Sequence, residues 1–266
     1  MRSVFSAGLL DEFLEQGFNP FQLAIGVSAG AANLSAYLAG AHGRSLRVFR
    51  DYALRPECIN YLRFVRGGHL IDLDWLWEIC AVEVPLDNHR VFANGQSLLV
   101  CLTDVCTGKA VYQRANAGNL EQVIKASSAL PLMYREFPHV DGRPMADGGV
   151  ADSIPVQKAL DMGASRIMVV RSRPRQFRKR DQLVHKLVRR RLRQHYPALF
   201  NSMQERIKRH HDAIRLIRRP PPGIQVVEVC PPEDFTVGRL CRDRQKLLRG
   251  YRQGQAEARH AIRQWG

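Results

Sequence analysis

The sequence predicts an α/β fold in which a mostly parallel central sheet is flanked by helices. Short apolar runs of strand length alternate with amphipathic segments of helix length. The apolar runs are nearly continuous, as in strands that are buried on both faces, and this favours parallel pairing. With 266 residues, 45% of them hydrophobic, the chain is long enough to bury a full core.

The elements follow in order from the N-terminus. Apolar residues recur at helical spacing between Val4 and Leu14 and stop before Gly17, so the chain opens on a helix. Further helices are predicted at 31–39, 45–55, 70–82, 120–129, 155–162 and 239–252. Strands are predicted at 22–27, 98–102, 166–170 and 224–229, with 111–112 pairing beside the second. Pro131 ends one helix, and Pro155 opens another.

Positive charge is concentrated in one segment. The chain carries a net charge of +15, and residues 171–219 hold 17 Lys or Arg against 3 Asp or Glu. Such a concentration indicates an anionic partner. Leucine and isoleucine recur there at helical intervals, so we expect helices interrupted at Pro197 and ended at Pro220. Because a strand follows, the segment is predicted to be an insertion or lid on the same domain.

The remaining composition indicates where the protein works. Six cysteines form no C-x-x-C pair and no signal-peptide pattern is present, which predicts reduced thiols in the cytoplasm. No run of about 18 apolar residues occurs, so no segment is predicted to span a membrane. Basic helices can still lie on an anionic membrane, here at its inner face. The predicted contacts are Arg189, Arg190, Arg191 and Arg193. The alternative is a solvated lid whose apolar stripe packs on the domain.

The most informative motif is Gly26-Val27-Ser28-Ala29-Gly30, which lies between a predicted strand and a predicted helix. A G-x-S-x-G in this position is typical of a nucleophile elbow, a sharp turn that raises a serine hydroxyl above a sheet. We expect side chains at either glycine to collide in so tight a turn. The alternative is an ordinary glycine-rich turn.

A serine nucleophile needs a base, and no histidine is well placed to act as one. Most histidines after position 147 lie in the basic segment, where they are expected to be solvated. Asp147 is the better partner, because it follows a short extended stretch and is followed by Gly148 and Gly149. The alternative for these three residues is a plain hairpin turn.

Three ordered motifs resemble those of bacterial patatin-like phospholipases: Gly26 to Gly30, Ala126-Ser-Ser-Ala-Leu-Pro131 and Asp147-Gly148-Gly149. The resemblance covers residues 1 to about 172. It implies a three-layer α/β fold and a Ser–Asp dyad in which Ser28 attacks a lipid ester and Asp147 takes its proton. Six residues are expected to support the motifs or to stabilise the oxyanion: Gly26, Ala29, Gly30, Gly148, Gly149 and Arg2. We interpret the stretch at Ser127 as structural backing for the site.

The N-terminus departs from the family pattern. That family has a strand and a G-G-G-x-[RK]-G loop whose amides form the oxyanion hole. Here Met1-Arg2-Ser3 matches only the last three positions, with serine in place of the final glycine, and the strand and the three glycines are absent. Removing such donors costs about 10²- to 10³-fold each in turnover. The departure predicts either a reading frame that begins inside a longer gene, which we favour, or an impaired enzyme.

The sequence therefore predicts a serine acyl-ester hydrolase that requires no cofactor and no metal. Its predicted parts are a catalytic region at 1–172 and a C-terminal part at 173–266, which contains the basic helices of 173–219 and packs on the same domain. One alternative is a catalytically inactive scaffold. Another is a nucleic-acid-binding protein, which the charge would suit. No nucleic-acid partner is expected, however, because no recognised binding motif accompanies the charge.

Overall fold

A central sheet flanked by helices organises the protein, as the sequence predicts. The structure is a computed structural model that describes residues 1–178 and 186–266, without the side chains of 186–189 and 191. The strands are β1 Leu23–Val27, β2 Ser97–Asp104, β3 Ala110–Arg114, β4 His139–Val140, β5 Arg143–Asp147, β6 Arg166–Val170 and β7 Gln225–Val229. The helices are α1 Val4–Glu15, α2 Ala29–Leu38, α3 Arg44–Arg47, α4 Tyr61–Val65, α5 Leu73–Glu83, α6 Leu120–Ser128, α7 Val156–Asp161, α8 Lys186–His195, α9 Pro197–Arg218 and α10 Arg244–Trp265.

The prediction of a mostly parallel sheet is wrong. In the five-stranded sheet only β1 and β2 are parallel; β3 and β5 both run antiparallel to β2, and β4 runs antiparallel to β5. For the pairs β2–β3 and β4–β5 the reason is a short connection, because a tight turn between neighbouring strands can only reverse the chain. Buried apolar strands do not by themselves reveal their direction.

The basic segment connects two parallel strands. β6 and β7 form a separate two-stranded parallel sheet, and parallel neighbours need a crossover connection of a dozen or more residues. α8 and α9 lie within this connection. The predicted insertion is therefore the crossover of a β-α-β unit.

The core lies between β2 and the helices beside it. Leu98, Val100 and Leu102 on β2 are fully buried, as are Phe5 and Leu9 on α1. The apolar periodicity that predicted α1 thus marks the face that packs in the core.

The last helix differs from its predicted range of 239–252. α10 begins at Arg244 because the Asp243 side chain accepts the Lys246 amide, 3.0 Å away, as an N-cap. It continues to Trp265 and packs on α1, where the Tyr251 hydroxyl donates to Asp11 at 2.8 Å. The two ends of the chain are packed together by this contact, although the predicted boundary at residue 172 stays a prediction.

Candidate active site

Ser28 occupies the turn between β1 and α2 in a strained conformation. Its φ of 54° and ψ of −133° are unusual for a residue with a side chain. The turn is held from behind: the Ser28 amide donates to the Ser127 hydroxyl at 2.7 Å, and that hydroxyl donates to the Cys101 carbonyl at 2.6 Å. Ser127 therefore fixes the turn that carries Ser28, which gives a specific form to the structural backing predicted for it.

The two glycines of the motif are not equivalent. A Cβ on Gly26 would lie 2.4 Å from the Ala31 Cα, so this position requires glycine. A Cβ on Gly30 would meet no atom within 4 Å, and its backbone needs no positive φ. The prediction that both positions exclude side chains is therefore wrong for Gly30, because the helix turns that position away from the strand.

Asp147 ends β5 and is almost completely buried, with 6% of its surface exposed. Its carboxylate accepts the Gly149 amide at 2.7 Å, and its backbone carbonyl accepts the Thr103 hydroxyl at 2.8 Å. A Cβ on Gly148 would lie 2.0 Å from the Cys101 carbonyl oxygen, so the loop packs directly on the backbone of β2. These contacts orient the carboxylate rigidly.

The register of β2 brings Ser28 and Asp147 together. β3 pairs with β2 along one edge. β1 and β5 pair with overlapping residues of β2 and therefore lie end to end along its other edge. The last residue of β1, Val27, pairs with Cys101, and Asp147 pairs with the next residue, Leu102. The serine after β1 therefore lies beside the aspartate that ends β5, and the Ser28 side chain lowers the pKa of the Asp147 carboxyl.

Burial raises the pKa of the Asp147 carboxyl above its ordinary value. Four groups oppose the shift: the Arg206 charge, the Gly149 amide, the Ser28 hydroxyl and the Arg239 charge. A buried carboxyl with a raised pKa is the kind of group that can accept and return a proton.

Ser28 and Asp147 line a cavity of about 380 Å³, here called the narrow cavity. Such a volume falls in the range of small-molecule sites. Apolar side chains form much of its wall: Phe49, Leu73, Leu76, Trp77, Leu120 and Ile124. The cavity can therefore accept an apolar chain next to the serine.

A second cavity, the wide cavity, has a volume of about 1260 Å³ and lies between β1 and β6. Arg2, Arg206 and Arg239 line both cavities and stand where they adjoin. Arg2 was predicted as an oxyanion support; Arg206 and Arg239 were missed, because nothing in the sequence distinguishes them from the other arginines.

The other predicted supports lie at the start of α2. Ala29 and Gly30 occupy its first turn, where amides have no acceptor within the helix. The positive end of the helix dipole also points towards Ser28. These amides are the donors nearest in sequence to the serine.

His210 is buried on α9, although its sequence context suggested a solvated residue. Its Nδ1 lies 3.5 Å from the Ser153 hydroxyl. The histidine therefore contacts a serine other than Ser28.

The basic segment turns its apolar side inward. Leu192 on α8 is buried, whereas Arg190 and Arg193 on the same helix are exposed. The side chains of Arg189 and Arg191 lie outside the described residues. The inward leucine fits the alternative of a helical lid, and binding of the four arginines to an anionic surface stays a prediction.

The described residues contain neither a membrane-spanning helix nor a cluster of metal ligands. No helix in this part of the chain is both long and apolar enough to cross a membrane. Within the same residues, no group of three or more His, Cys, Asp or Glu side chains could hold a metal ion.

Comparison with known proteins identifies the family. The model of the family described as patatin-like phospholipase matches residues 1–160, and that of "Domain of unknown function (DUF6363)" matches residues 196–266. The chain is also similar to "Uncharacterized protein YjjU" of Escherichia coli (strain K12), with 36% identity over 259 residues that cover 90% of this chain and 72% of YjjU. The chain therefore belongs to the patatin-like phospholipase family.

Proposed function

We propose that the protein is a serine lipid acyl hydrolase that cleaves carboxylic ester bonds with Ser28 as nucleophile and Asp147 as base. The observation that carries the proposal is that a serine on a strained turn and a buried carboxylate with a raised pKa line the same apolar cavity. Family membership supports the same reaction class.

The proposed reaction has two stages. Ser28 Oγ attacks the ester carbonyl carbon while Asp147 takes the hydroxyl proton, and the first-turn amides of α2 stabilise the oxyanion. The ester C–O bond then breaks, and Asp147 returns the proton to the leaving alcohol. In the second stage Asp147 deprotonates a water molecule, which attacks the acyl carbon. The bond between this carbon and Ser28 Oγ breaks, Asp147 returns the proton to Oγ, and the fatty acid leaves. The acyl chain lies along the apolar wall of the narrow cavity.

Covalent labelling of Ser28 tests the proposal. An alkyl fluorophosphonate reacts with activated serines, so we expect one phosphonyl group on the peptide that contains Ser28 and none in Ser28→Ala. Ser153→Ala is the matched control, because Ser153 borders both cavities and contacts His210. Mass spectrometry locates the label. A label on Ser153 would show that the Ser–His pair is the reactive one, and absence of any label would favour an inactive scaffold.

We also expect Arg206→Gln to move the acid limb of the pH profile to higher pH. The base must be ionised, so activity falls as the pH drops through the pKa of Asp147, which burial already raises. Three arginines act electrostatically on or with this carboxyl: Arg2 before α1, Arg206 on α9 and Arg239 after β7. The charges of Arg206 and Arg239 lower the pKa of Asp147. Removing Arg206 therefore raises it further.

The measurement is kcat/KM for a soluble neutral ester from acid to neutral pH. Arg215→Gln is the matched control, since Arg215 lies on the same helix, exposed and paired with Asp212 at 3.2 Å. An acid limb that shifts equally in both variants, or in neither, would contradict Asp147 as the base.

A further inference from the structure

Four guanidinium groups from four separate segments meet beside the candidate active site. They are those of Arg2 before α1, Arg173 after β6, Arg206 on α9 and Arg239 between β7 and α10, here called the arginine cluster. All four side chains are half-buried. Arg206 and Arg239 belong to the part of the chain matched by the second family model.

The cluster is electrostatically unfavourable as it stands. Burial and, to a smaller extent, the charges of Arg173, Arg239 and Arg206 lower the pKa of Arg2 to about 9. Burial and the Arg239 charge also lower the pKa values of Arg173 and Arg206. Partly buried like charges are costly unless a counterion compensates them.

The described residues supply little compensation. Asp147 is the carboxylate that raises the pKa of Arg2 and of Arg206, and one carboxylate cannot balance four guanidinium groups. The nearby acid Glu228 is already engaged by Arg171, Arg175 and Arg218. Within the described part of the chain, the buried Nε atoms of Arg173 and Arg206 have no hydrogen-bond partner. Donors are therefore available for an anion.

The position of the cluster indicates which part of a substrate it would bind. Arg2, Arg206 and Arg239 stand where the wide and narrow cavities adjoin, and Arg173 lines the wide cavity. A molecule with an apolar chain in the narrow cavity and its ester at Ser28 would direct its remaining group towards these arginines. Guanidinium groups bind phosphate oxygens through paired, charge-assisted hydrogen bonds.

We infer that the arginine cluster, three of whose four members lie outside the residues matched by the first family model, binds the phosphate group of the substrate. The inference deepens the proposed function and rests on it for the chemistry at Ser28. Binding of the phosphate itself requires no catalysis. The C-terminal part of the chain thereby acquires a task, since it contributes Arg206 and Arg239.

Titration calorimetry with non-hydrolysable probes tests the inference. We expect octyl phosphate to bind the wild-type chain about tenfold or more tightly than octyl glucoside, which has the same chain and no charge. Arg239→Gln and Arg173→Gln, which lie on different segments, should each weaken octyl phosphate binding about tenfold. Arg215→Gln removes the same charge from an exposed site and should leave the affinity unchanged. Thermal melting of each variant shows that it is folded.

Comparing the probes and the variants distinguishes the possible results. Equal affinity for the two octyl probes, or equal losses in Arg215→Gln and Arg239→Gln, would overturn the inference. Inorganic phosphate that binds as tightly as octyl phosphate would also overturn it, because the site would then take the free ion and not a lipid headgroup. If the fluorophosphonate does not label Ser28 while Arg239→Gln still weakens octyl phosphate binding, the proposed function fails and the phosphate site stands.

Discussion

Asp147→Asn is expected to lower the turnover of a soluble neutral ester by about 10³-fold. Asparagine keeps the shape of the side chain, and its Oδ1 can still accept the Gly149 amide, but it cannot take the proton of Ser28. Because burial penalises the charged carboxylate, the neutral amide should cost little stability. The measurement is kcat and KM for a short-chain 4-nitrophenyl ester, with the melting temperature recorded in parallel.

Two comparisons sharpen this expectation. Asp152→Asn is the matched control: Asp152 lies in the same loop but accepts the Tyr112 hydroxyl at 2.5 Å, so its variant should retain turnover. The double variant Ser28→Ala/Asp147→Asn should be no slower than Ser28→Ala, since the two groups act as one unit. The proposed dyad would be contradicted if the loss of turnover in the double variant equalled the product of the two single losses. An effect of Asp147→Asn on KM alone would contradict it as well.

Gly26→Ala and Gly148→Ala are expected to destabilise the fold by about 3 kcal/mol or more each. In each variant the new methyl group would lie closer than 2.5 Å to a backbone atom, Ala31 Cα or the Cys101 carbonyl oxygen. Neither neighbour can move without distorting α2 or β2. For a chain of this length the loss corresponds to a melting temperature lower by about 10 °C.

Gly30→Ala is the matched control within the same motif. The added Cβ meets open space, and alanine is favoured over glycine in a helix. Its stability should therefore stay within about 1 kcal/mol of the wild type. If urea titration gave the same loss of stability for Gly26→Ala and Gly30→Ala, the turn would not be packed as described.

Much of the local structure could be predicted from the sequence. The runs that form β1, β2, β6 and β7 and the amphipathic patterns of α1 and α6 are confirmed to within a few residues. Such elements follow from the periodicity of neighbouring residues. The start of α10 was misplaced because its signal is a single capping side chain, Asp243, whereas the apolar pattern extends beyond it.

The direction of the strands could not be predicted in the same way. β2 is a buried apolar run of the kind that is typical of parallel strands, yet β3 and β5 both pair antiparallel with it. Pairing direction depends on the connections between strands and on which edge of β2 remains free. Both are properties of the assembled sheet.

The sequence by itself determined which residues to consider: Ser28 on a turn between strand and helix, Asp147 before two glycines, and a family resemblance that the comparisons confirm. Only the tertiary structure decided that these residues meet, because consecutive positions of β2 pair with Val27 and Asp147. It also decided which arginines surround the carboxylate. Arg2, Arg206 and Arg239 lie far apart in the chain, and no local pattern marks them. Periodicity reports interactions between near neighbours in sequence, whereas a site assembled across a sheet depends on contacts between distant segments, which form only when the chain folds.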